Sequence, residues 1–141
     1  MDLTGVKAIA MQLIIAISGD SGSDVPKRLP PIEVLPAAEV QQRICNRACP
    51  IYAAYQPGKS VLLDERLDLA DDLNARSILL HELVHYVQWR KYGRGPKDCK
   101  EWKVREMEAY LLQFRWLSAQ PIGNRRLRVQ RPDLTRVLCS R

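Results

Sequence analysis

At 141 residues the chain is sized for one domain, and a hydrophobic content of 46% can fill a real core. The net charge of +6 is uneven: from Pro121 onward six Arg face one Asp, so +5 belongs to the tail and the rest is close to neutral. Basicity is therefore no property of the domain body, and no apolar run reaches transmembrane length.

Residues 1–24 admit two readings. Lys7, the apolar run from Ala8 to Ile17, and Ala16-x-Ser18 resemble a weak secretory signal, and the balance leans to such a leader. Gln12 inside the run and Asp2 before it suit instead a first helix or strand of the domain. Residues 25–36 hold Pro26, Pro30, Pro31 and Pro36, which predicts an extended linker. Ala37 to Arg47 reads as a helix with Val40 and Ile44 on its apolar face. Ile51–Tyr55 and Ser60–Asp64 flank a Gln-Pro-Gly-Lys turn and read as a β-hairpin.

An acidic connection then leads to Asp71 or Asp72, either of which can cap a helix running to about Tyr92, with Gly93 and Gly95-Pro96 behind it. This helix carries His81-Glu82-Leu83-Val84-His85. Residues four apart share a helix face, so both imidazoles can reach one ion, and Glu82 stands where it can work on a water beside that ion. The chain has only two histidines, and both are here. Asp98 and Glu101 form a capping box in Asp form for a second helix that stops near Gln120-Pro121.

Two His do not complete a catalytic zinc site, which takes three protein ligands and keeps one position open. The second helix offers Glu106 and, on another face, Glu108. H-E-x-x-H followed some twenty residues later by Glu106-x-x-Ala109 resembles the gluzincin metallopeptidases, and in a chain this short the minigluzincins. The resemblance covers roughly residues 50–118. It implies an α+β, zincin-like fold for residues 37–120, with several helices and a small antiparallel hairpin or sheet beside the motif helix. It also implies one Zn²⁺ per chain on His81, His85 and Glu106, with Glu108 as the rival ligand. Glu82 is then the general base of peptide-bond hydrolysis, and Tyr110, four residues after Glu106, a candidate oxyanion stabiliser. A strand bordering the cleft would pair with an extended peptide or protein substrate.

Cys45, Cys49, Cys99 and Cys139 lack a second close pair, so a Cys-rich zinc site is not expected. Cys49 precedes the hairpin and Cys99 opens the second helix, so a bridge from Cys49 or Cys45 to Cys99 is the expected staple, although four cysteines allow three full pairings. With the leader, it favours a secreted or periplasmic home over a cytoplasmic one. Residues 121–141 read as a solvated Arg-rich tail with no recognisable nucleic-acid module, and Arg136-Val137-Leu138 as a short helical turn. Two other functions stay open: a catalytically silent zincin-like domain that binds peptides around a structural zinc, and an anion-binding module working through the tail.

Overall fold

The structure is a computed structural model and describes residues 1–139. It is mixed α+β, organised on helix α3 (Leu73–Tyr92). Asp72 starts α3 by accepting hydrogen bonds from the backbone N–H of Asn74 at 2.9 Å and Ala75 at 3.4 Å, and Gly93 ends it at φ 70°. Apolar side chains lie on nearly every side of α3, which therefore has to be covered on every side. Helices α1 (Leu3–Ser21) and α4 (Cys99–Ala119) pack against it, and the sheet closes it from another direction. Asp98 caps α4 by accepting from Glu101 N–H at 2.8 Å, and Ala109, fully buried, is the small residue α4 brings to the core.

The segment weighed as a leader is α1, which buries Val6, Ile9, Leu13, Ile14 and Ile17 in the common core. It is 19 residues long and an 18-residue window of it has a mean hydropathy of 1.3, enough by length and composition to cross a membrane. The uninterrupted run in the sequence is shorter because Gly5, Lys7 and Gln12 break it, whereas the helix includes them.

Strands β1 (Ile32–Leu35), β2 (Ala53–Gln56) and β3 (Ser60–Asp64) form a sheet in the order β1-β3-β2. β2 runs antiparallel to β3, with Ala53 opposite Leu63 and Gln56 opposite Ser60. The turn between them needs Gly58: its φ is +72°, and a Cβ there would lie 3.0 Å from the Trp89 ring. All five residues of β3 are buried. Val61 and Leu63 join the α3 core, whereas Leu62 points to the face covered by α2 (Ala37–Cys45).

The expected linker contributes β1, which pairs in parallel with β3 from Ile32–Val61 to Leu35–Asp64. The prolines bracket four Pro-free residues, so every N–H the ladder needs is present. Smaller shifts are local. α2 ends at Cys45, because Asn46 takes φ 54°, and the first hairpin strand starts at Ala53, not Ile51. The last turn is a 3₁₀ turn at Leu134–Arg136.

The bridges are Cys45–Cys49 and Cys99–Cys139, not the expected link from Cys49 or Cys45 to Cys99. The chain turns back directly after α2, which brings Cys45 and Cys49 to a Cα separation of 6.4 Å. The tail returns to the start of α4, so Cys139 lies 5.5 Å, Cα to Cα, from Cys99. The tail is accordingly no free solvated extension. Leu73 N–H donates to Asn124 O at 3.0 Å, Leu127 N–H donates to Asp72 Oδ2 at 3.1 Å, and Asn74 Nδ2 donates to Leu127 O. Arg126 pairs with Asp68, Leu134 is buried, and Lys103 Nζ donates to Val137 O at 2.9 Å. The last two residues of the expected tail lie outside the described residues.

Candidate metal centre

His81 and His85 stand one turn apart on α3, and Glu106 faces them from α4. Their Nε2 atoms are 3.3 Å apart. Glu106 Oε2 lies 3.4 Å from His81 Nε2, and Oε1 lies 2.5 Å from His85 Nε2. A small tetrahedral ion with bonds of about 2.0–2.1 Å sets its ligand atoms about 3.3–3.4 Å apart. Two of the three separations meet that spacing. The third is a direct contact, from which the carboxylate would draw back to admit an ion.

The far side of each imidazole is also occupied. His81 Nδ1 lies 3.0 Å from Gln113 Oε1, and His85 Nδ1 lies 2.9 Å from Gln88 Oε1. An amide oxygen only accepts, so each Nδ1 carries its proton, and a ring that gives up its other proton to a metal would turn an Nε2 lone pair inward. The amides are held in turn. Gln113 Nε2 donates to Ser77 Oγ at 3.2 Å, and Ser77 Oγ donates to Asn74 O at 2.7 Å. Gln88 Nε2 donates to Arg105 O at 3.0 Å and to Glu108 Oε1 at 2.9 Å. The rival carboxylate thus sits behind His85 and steadies the residue that orients it.

Burial pulls the His85 pKa down, but the Glu106 hydrogen bond, the Glu82 and Glu106 charges and the Gln88 contact together lift it to about 9. Burial pushes Glu106 up, and the bonds from His81 and His85 outweigh it, leaving about 2. An imidazolium–carboxylate pair of this kind is what a divalent cation displaces, exchanging a proton for a metal.

Glu82 lines the cavities on both sides of the centre. Its Oε2 is shut off from solvent and, among the described residues, has no hydrogen-bond partner. Burial pushes its carboxyl up, against the pull of His81 and His85. The Tyr110 ring packs on His81 with centroids 4.3 Å apart, and burial raises its phenol. His81, His85 and Glu106 together form a group that could hold a metal ion, with Glu82 and Tyr110 beside it. Gln88 and Gln113 escaped the sequence reading although a signal existed: Gln88 is three residues after His85, and Gln113 is seven after Glu106, both helical spacings.

Comparison with protein-family models, with curated proteins and with solved structures finds no match to this chain.

Proposed function

We propose that the protein is a zinc-dependent peptidase of gluzincin type, with a zincin-like arrangement of helix and edge strand. The observation that carries this is the donor set: two imidazoles, each turned inward by a Gln on its far nitrogen, converge with one carboxylate beside the unpartnered Glu82 Oε2. A structural zinc is usually closed by four protein ligands. Among the described residues no fourth His, Cys, Asp or Glu joins the group, and all four cysteines are in disulfides. That favours a working centre over the catalytically silent peptide-binding domain.

His81, His85 and Glu106 would hold the ion. Bound zinc would lower the pKa of a water and polarise the scissile carbonyl. Glu82, desolvated and so a stronger base than a surface carboxylate, takes the proton of the attacking water and hands it to the leaving amine. Tyr110, packed on His81, would donate to the developing oxyanion from that side. β2 pairs with β3 along one edge only, and its residues line the cavities around Glu82, so an extended peptide can add to the other edge.

Two measurements test this reading. Metal analysis of the purified protein should find one zinc per chain, lost in His81→Ala. Full occupancy in Glu106→Ala with loss in Glu108→Ala would move the third ligand to Glu108. A peptide library at near-neutral pH with added zinc should be cleaved by wild type and not by Glu82→Gln. Equal cleavage by both would remove Glu82 as the base, and a zinc-loaded wild type that cleaves nothing counts against the peptidase.

A further inference from the structure

The space beside Glu82 continues in two directions, and the two ends are chemically unlike. On the His85 side is a cavity of about 580 Å³ walled by Ile44, Ile51, Pro57, Trp89 and Trp102. Its polar side chains away from the centre are largely engaged, with Arg105 Nε shut off from solvent and without a partner among the described residues. Arg105 donates to Arg94 O at 2.9 Å, pairs with Glu101 at 2.7 Å and lies over the Tyr92 ring, and Gln88 is held as described. What remains open to a visitor is apolar, with Trp102 still 40% exposed.

On the His81 side is a cavity of about 390 Å³, one wall of which is the tail at Arg128, Val129 and Gln130. This wall is pinned through Leu127 and Arg126. Of the other tail arginines, Arg125 donates to Leu117 O at 2.8 Å, Arg126 pairs with Asp68 and Arg136 pairs with Asp133, while Arg131 lines a separate cavity with Met107 and Tyr110. Among the described residues no carboxylate pairs with Arg128, the arginine on the His81 side of the cleft.

We propose that the cleft recognises its substrate by two opposite chemistries across Glu82, a bulky apolar side chain in the Trp102 cavity and a carboxylate against Arg128. The inference rests on the peptidase reading for the orientation of the peptide, and it narrows the substrate to peptides carrying both groups a few residues apart. A guanidinium forks onto a carboxylate through two parallel hydrogen bonds, which an ammonium cannot reproduce. The carboxylate can be an Asp or Glu side chain or the terminus of the peptide.

The test is binding of labelled peptides to zinc-loaded Glu82→Gln, which keeps the cleft and removes the base. Peptides with Leu, Phe or Trp on one side and Asp or Glu on the other should bind about tenfold tighter than their Lys counterparts, the scale of one charge-assisted hydrogen bond. Free-acid and C-terminally amidated versions separate a terminal carboxylate from a side chain. Adding Arg128→Glu should invert the preference toward Lys and leave the apolar one intact, and adding Trp102→Ala should do the converse. Equal binding of acidic and basic peptides, or a preference that survives Arg128→Glu, overturns the proposal. Selective binding without hydrolysis by wild type would retain this recognition and reject the peptidase, whereas hydrolysis with no charge preference would do the opposite.

Discussion

The α3–α4 pair and the tail from Pro121 onward wall the same cleft, but they are built by different means. Helical periodicity puts His81 and His85 on one face, and the burial of Ala109 seats α4 against the core so that Glu106 meets them. Its hydrogen bonds are local and repeat every turn. Among its described residues the tail has one 3₁₀ turn and no strand. Its course is set by single contacts, each with a partner distant in sequence: Asn124 with Leu73, Leu127 with Asp72 and Asn74, Arg126 with Asp68, Cys139 with Cys99. On the proposed reading, the chemistry and the apolar cavity at Trp102 rest on the periodic part, and the carboxylate contact at Arg128 on the part that can change residue by residue without disturbing it.

The contrast predicts a gradient of effects. Glu82→Gln, inside the helix pair, should lower hydrolysis by roughly 10²–10⁴-fold while zinc content and thermal unfolding stay near wild type. Loss of metal together with activity would mean that Glu82 is structural. Gln113→Leu frees the His81 Nδ1 proton from its acceptor, so zinc affinity should fall by roughly 10–100-fold in a competition titration against a chelator. An unchanged affinity would show that packing alone orients the ring.

The third test lies at the end of the sheet. Burial raises the Asp64 pKa, but the side-chain and backbone hydrogen bonds of Arg66 outweigh it and hold the pKa below its ordinary 3.8. A depressed folded-state value stabilises the protein fully above the unfolded pKa, and the stabilisation is lost as pH falls through the folded one. Asp64→Asn should therefore flatten the acid side of the stability–pH curve below about pH 4 and leave zinc affinity alone. The smallest effect is expected from Arg126→Ala in the tail. An exposed pair with Asp68 contributes about 1 kcal/mol or less, so unfolding should shift by a few degrees at most with metal binding unchanged. A loss of metal there would erase the division between the two walls.

The same division explains what could be read from the sequence. The α+β class, the helix carrying the two His, the caps Asp72 and Asp98, and the Pro-Gly turn rest on short-range signals, and all are present in the structure. Glu106 was legible because it lies on a helix at a fixed distance from the motif. β1 was not, since four residues between prolines carry no alternation of their own and pair only because β3 offers an edge. The bridges were not, because Cys139 reaches Cys99 only once the tail has folded back. Gln88 and Gln113 are in register on their helices, but their value depends on the far nitrogen of each ring, which the sequence does not show.

One chain of hydrogen bonds crosses that division. It runs from His81 through Gln113, Ser77 and Asn74 to the carbonyl of Leu127. Were zinc to bind at one end, its binding and the docking of the tail at the other would share a free energy through these bonds. Linkage makes the sharing reciprocal: whatever factor zinc adds to tail docking, a docked tail returns to zinc affinity. The amide of Leu127, which donates to Asp72, reports the tail's half of this exchange. Its hydrogen exchange should slow when zinc is added, by the same factor that tail docking contributes to zinc binding.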